Sequence, residues 1–174
     1  MRARAGMAAA SALLALPMGG CGFTPLYATG SVTPSMASIE VITPEGRTGH
    51  LLSEDLQDDF AIDRSNPARY RLDLAVQEKR YARGLDYQQV ATWYELSLRI
   101  SYSLIDISSG KTLTAGVMPI SVSYNEANDP YAGIVAQQDG QVRAAGEAAQ
   151  RIRIAIAAYF AGNPIKTPGT SAGP

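Results

Sequence analysis

Two stretches of this chain alternate apolar and polar residues so strictly that only half-buried β-strands accommodate them. Over 69–77, Tyr70, Leu72, Leu74 and Val76 alternate with Arg69, Arg71, Asp73, Ala75 and Gln77. Over 93–104, Tyr94, Leu96, Leu98, Ile100, Tyr102 and Leu104 alternate with Trp93, Glu95, Ser97, Arg99, Ser101 and Ser103. Successive strand side chains point to opposite faces, so a period of two sets one face on a core and leaves the other polar. Any fold must therefore cover one side of a sheet and leave the other wet.

The cover is found on either side of these segments. Leu52, Leu56 and Phe60 fall at i, i+4 and i+8, one face of a helix whose other faces carry Glu54, Asp55, Gln57, Asp58 and Asp59. A second helix opens at Asn128-Asp129-Pro130, with Asp129 as cap and Pro130 at the first position. Its apolar residues Val135, Val142, Ala145, Ala149, Ile152 and Ile156 recur at heptad-like spacing and end near Phe160 and Gly162. Gly140 and Gly146 weaken it by about 1 kcal/mol each relative to alanine, so tertiary packing must hold it. Ile39–Ile42 reads as a short strand stopped by Thr43-Pro44. Asp106–Lys111 reads as a tight turn into a fourth strand. There Leu113, Ala115 and Val117 hold one phase and Ile120, Val122 and Tyr124 the other, which predicts a bulge or an edge position at Pro119. Between the two alternating segments lies a basic, aromatic loop around Lys79, Arg80, Tyr81, Arg83 and Tyr87. The order β-α-β-β-β-α predicts an α/β (α+β) two-layer sandwich, two helices packed on a four-stranded mixed sheet.

The N-terminus has a different character. Arg2 and Arg4 precede an apolar stretch from Met7 to Leu16, then Pro17-Met18-Gly19-Gly20, then Cys21, the only cysteine. A basic start, a short apolar core and small residues before the cut describe an export signal. The stretch is too short to span a bilayer, which takes about 20 residues. With cysteine directly after two glycines, the pattern is that of a bacterial lipoprotein signal, and Cys21 is the expected lipidation site. A lone cysteine has no disulfide partner, and acylation explains it. Several acyl chains on one residue anchor stably where a single chain does not. Gly22, rather than aspartate, after the cysteine favours sorting to the outer membrane. The expected divisions are a signal over 1–20, a lipidated tether over 21–36, an α/β domain over 37–162 and a disordered tail over 163–174. Without residues 1–20 the chain keeps 13 of its 15 basic residues and all 16 acidic ones, a net charge of −3. That mild acidity argues against nucleic acid as a partner.

Catalytic chemistry is absent from the sequence pattern. His50 is the only histidine and reads as a surface or cap residue, with no serine or carboxylate motif beside it. One histidine and no spare cysteine make no metal site. The acidic run Glu54-Asp55 with Asp58-Asp59 is a solvated helix face. Ser108-Ser109-Gly110-Lys111 lacks the first glycine of a phosphate loop and reads as a hairpin turn. No cofactor is expected beyond the covalent diacylglycerol and N-acyl chain on Cys21. The basic cluster is the feature that invites a ligand: Lys79, Arg80 and Arg83 are candidates for anion binding. Arg69, Arg71 and Arg99, projecting from the polar sheet face, are candidates for a partner surface.

The run Cys21-Gly22-Phe23-Thr24-Pro25-Leu26-Tyr27 resembles the N-terminal signature of the lipopolysaccharide-assembly lipoprotein family LptE in its alphaproteobacterial form. The element order agrees, as does Tyr124-Asn125-Glu126-Ala127-Asn128-Asp129-Pro130-Tyr131 leading into a long last helix. The resemblance implies a non-enzymatic outer-membrane lipoprotein that plugs the large barrel LptD and supports delivery of lipopolysaccharide. It also implies that Lys79, Arg80 and Arg83 are the nearest candidates for lipopolysaccharide contact. The opening of the last helix, 131–141, departs by carrying no Lys or Arg. Two other classes compete: an auxiliary lipoprotein of a phospholipid or solvent-resistance ABC transporter, and a tethered periplasmic enzyme.

Overall fold

The computed structural model describes residues 32–85, 91–125 and 130–162. The signal, Cys21 and the run to Tyr27, Tyr87, the cap Asp129 and the tail over 163–174 lie outside these residues. The elements run α1 (Val32–Ala37), β1 (Ile39–Ile42), α2 (Arg47–Phe60), β2 (Tyr70–Leu85), β3 (Ala91–Asp106), β4 (Thr112–Asn125) and α3 (Pro130–Phe160). One mixed sheet in the order β1-β2-β3-β4 carries the helices on one face. This is the expected α+β sandwich with one addition. The helix α1 falls in the stretch read as tether and buries Val32 and Met36 in the core. Six residues are too few to show a helical period, so no pattern announced it.

The alternation does what it predicts. Leu72, Leu96, Leu98, Ile100 and Leu104 are buried on the helix side, and Arg71, Ala75, Gln77, Arg99 and Ser101 are exposed on the other. Leu52, Leu56 and Phe60 of α2 are buried against them. In α3 the buried line runs through Gly140, Ala144, Ala148, Ile152 and Ile156, each one turn apart, with Ala145 and Ala149 beside it. Val135 and Val142, expected on this seam, are exposed instead. The buried line follows the four-residue row of the helix rather than a heptad.

Two glycines are required by close approach. A Cβ on Gly49 would stand 2.0 Å from the Pro44 carbonyl oxygen, so α2 can leave β1 this tightly only without a side chain. A Cβ on Gly140 would meet the Tyr124 ring at 3.2 Å, which is the packing reason for a glycine inside α3.

β1 pairs parallel to β2, Ile39 opposite Tyr70, whereas β2–β3 and β3–β4 are antiparallel. The β3–β4 turn closes through Asp106, whose carboxylate accepts from the Ser108 hydroxyl and the Ser109 N–H, with Gly110 at φ 67°. Pro119 sits on an edge strand with no register break. The β3–β4 irregularity falls between Leu104 and Ile105 instead, beside the turn. What looked like a phase slip has two causes: Leu113 sits in the irregularity beside the turn and packs against the core, whereas Ala115 and Val117 lie on the outer face and Gly116, Ile120, Val122 and Tyr124 keep one helix-side phase.

Candidate functional site

The basic segment is strand, not loop. β2 continues to Leu85 and pairs with β3 in regular register as far as Ala82 opposite Tyr94, with Lys79 opposite Ser97 and Arg80 opposite Leu96. Only then does the register slip, on either side of Gly84, leaving Arg83 as an extra residue in β2. Because the segment is strand, its side chains divide between the two faces of the sheet.

Arg80 turns to the helix side. Its guanidinium lies 3.8 Å from the centroid of the Tyr94 ring and 5.9 Å from that of Tyr124, and the two rings stack 5.8 Å apart. It also donates to Gln137 of α3 at 3.4 Å. A cation over stacked rings and tied to a helix amide is a packing element that seats α3 on the sheet. Two positions earlier Glu78 plays a parallel part. Its carboxylate accepts from the Thr48 hydroxyl of α2 at 2.6 Å and from Gln141 of α3 at 2.9 Å.

Lys79 and Arg83 stand on the opposite, outer face. Arg83 pairs with Glu95 at 2.8 Å and lies over the Tyr81 ring at 5.2 Å. Glu95 also accepts from the Ser121 hydroxyl at 2.6 Å. The Ser121 hydroxyl, then the Arg83 guanidinium, hold the Glu95 carboxyl below the usual carboxylate range. Tyr81 and Trp93 are 41% and 43% exposed beside this pair, so the strand end presents aromatic edges with the charges.

The six arginine and lysine candidates therefore regroup. Arg99 faces Gln77 across the ladder and Lys79 faces Ser97, which makes Lys79 and Arg99 diagonal neighbours on the outer face, with Cβ atoms about 7–8 Å apart. Among the described residues neither forms an ion pair. Arg71 is engaged by Asp73 through two bonds, 2.9 and 3.1 Å, well along the strand from this pair. Arg69 precedes β2 and lies over the Tyr70 ring at 5.3 Å. The structure thus joins Lys79, Arg83 and Arg99 on one face, sends Arg80 to the other and leaves Arg69 and Arg71 at the far end. Arg99 was separable from Arg71 in sequence only by knowing the register.

The outer face between these cations is built of small and polar side chains. Ser97 lies opposite Ser121, with Ser101 and Ser103 further along β3 and Ser123 on β4. No described element covers it. Two cations presented by a rigid ladder over hydroxyl-bearing neighbours can hold a phosphate or carboxylate group through charge-assisted hydrogen bonds. His50 is exposed near the start of α2. No group of three or more His, Cys, Asp or Glu residues gathers to hold a metal ion among the described residues. No described helix is long and apolar enough to cross a membrane.

This chain is similar to a crystal structure of a candidate lipoprotein from Caulobacter crescentus, with 43% identity and a TM-score of 0.66 over 75% of this chain and 96% of that one. The fold also matches uncharacterized lipoprotein B of Nitrosomonas europaea, at 12% identity and a TM-score of 0.55 over 72% and 84% of the two chains. A minor lipoprotein of Acinetobacter baumannii matches at 16% identity and a TM-score of 0.50 over 69% and 88%. These last two speak to fold alone. No curated protein matches the sequence. The family model for lipopolysaccharide assembly, LptE, matches residues 36–156, the span from the end of α1 through most of α3. With that span and the Caulobacter likeness, the chain belongs to the LptE family.

Proposed function

We propose that this protein is a lipid-anchored outer-membrane component of lipopolysaccharide assembly, seated as a plug and assembly partner in the LptD barrel. Membership of the lipopolysaccharide-assembly family carries the reading. The open, hydroxyl-rich sheet face supports it, since a polar face can lie against the wet wall of a barrel lumen where a broad apolar one would aggregate first. The anchor is Cys21, acylated after removal of residues 1–20. Tethering raises local concentration at the membrane, so modest contacts suffice for capture.

Within this role Lys79, Arg83 and Arg99 are the residues for the anionic groups of lipopolysaccharide, and Arg80 serves the fold beneath them. No residue is assigned a catalytic part and no cofactor is required. The family match lends no support to the transporter-auxiliary alternative. The test is affinity capture of the full chain from envelope extracts of its own cell. Co-purification of a large outer-membrane barrel is the expected result. Failure to recover a barrel, together with unchanged surface lipopolysaccharide on depletion of the protein, overturns the reading.

A further inference from the structure

A four-stranded open sheet has two free edges, and the two are treated differently. On one side the edge is shared, because the four residues of β1 pair only with Tyr70–Asp73 and β2 itself continues that edge beyond Asp73. β4 is 14 residues long and runs its full length along the other edge. A long edge with unpaired N–H and C=O groups invites pairing with another chain.

In an antiparallel ladder the backbone N–H and C=O of alternate residues point toward the partner strand and away from it. Pro119 and Ser123 share one phase of β4, and their carbonyls are met from α3. The Arg151 guanidinium donates to the Pro119 carbonyl and the Arg143 guanidinium to the Ser123 carbonyl, both at 3.4 Å. Each arginine is fixed from one turn earlier in α3: Arg143 by Asp139 at 2.9 Å, Arg151 by Glu147 at 2.5 Å. The unit of acid, arginine and strand carbonyl thus occurs twice. Its spacing is eight residues along α3, about 12 Å, and four along β4, about 13–14 Å. That agreement lets one helix serve two points on one edge. At the first point the strand residue is a proline, which has no N–H to offer.

We propose that Arg143 and Arg151 close the free edge of β4 against strand addition by a second copy of this chain. The two bonds are long, and the barrier lies mainly in charge. A strand adding to β4 must strip water from two guanidinium groups that are half exposed, displace them from the carbonyls and leave them beside an apolar sheet. Pro119 removes a donor at one of these points, so the pairing that would compensate is incomplete.

The test is self-association of the purified full chain by sedimentation velocity. The double variant Arg143→Ala with Arg151→Ala is expected to self-associate at least threefold more tightly than the wild type, with an unchanged circular dichroism spectrum. Adding Ser121→Pro, which deletes another edge donor, is expected to return association to the wild-type level. A change below threefold overturns the proposal. So does association that persists with Ser121→Pro, because the contact is then elsewhere. Where the double variant loses its native spectrum, the single variant Arg143→Ala carries the same threshold.

Discussion

Individual residues here are constrained more by what faces them than by their type. Gly49 lies in α2, where alanine is ordinarily the better residue, yet a Cβ would strike the Pro44 carbonyl. Gly49→Ala is expected to cost about 3 kcal/mol, at the upper end for overpacking, read as a lowered urea midpoint with unchanged slope. Asp55 shows the electrostatic counterpart. Burial first, then the neighbouring carboxylates Asp59, Glu54 and Asp58, push its pKa up. A carboxyl whose folded pKa is raised binds its proton more tightly when folded, so ionised Asp55 opposes folding at neutral pH and the penalty fades as pH falls through the folded pKa. Asp55→Asn is therefore expected to raise the melting temperature at pH 7, with the difference shrinking toward zero in acid. A stabilisation that does not depend on pH would contradict this account. The sequence shows the acidic run around Asp55 plainly but not its burial, because Gly146 and Ala149, which line the same groove, come from a helix ninety residues away.

At the level of elements, pattern was readable wherever burial alone chose the residues. Both central strands and the face of α2 are of this kind. The strand signal in β2 fades at Glu78, and the reason is physical. Positions 78 and 80 still face the helices, but helix groups satisfy polar side chains there: Thr48 and Gln141 at Glu78, Gln137 at Arg80. Alternation in hydropathy breaks while alternation in direction continues, so strand passes for loop. In α3 the same confusion of period misassigned Val135 and Val142. Ile152→Ala, in the buried line, is expected to cost about 3–4 kcal/mol, whereas Val142→Ala, on the exposed flank, should stay within about 0.5 kcal/mol. Equal effects in thermal unfolding would mean that α3 is rotated about its axis from the orientation described.

For the whole molecule, the division of labour between the two sheet faces makes function and stability separable. Lys79→Glu with Arg99→Glu is expected to lower capture of lipopolysaccharide by about tenfold while leaving the melting temperature nearly unchanged. Arg80→Ala should do the reverse, costing about 1 kcal/mol of stability with capture largely kept. If Arg80→Ala abolishes capture in a folded protein, the facial division is wrong. This division could not be read in the sequence, where Lys79, Arg80 and Arg83 form one cluster and Arg99 stands apart from it, since it rests on a register that only the folded ladder fixes. The parallel pairing of β1 with β2 has a consequence in time. β2, β3 and β4 meet through neighbouring hairpins and can associate early, because their loops are short. β1 and α2 are made early, but β1 has no strand to pair with until β2 exists, and the sheet has no cover over β3 and β4 until α3 is complete. A chain interrupted before Ile152 must keep an apolar sheet face open, so folding is gated by α3, and whatever holds the newborn chain must hold it until that helix is made.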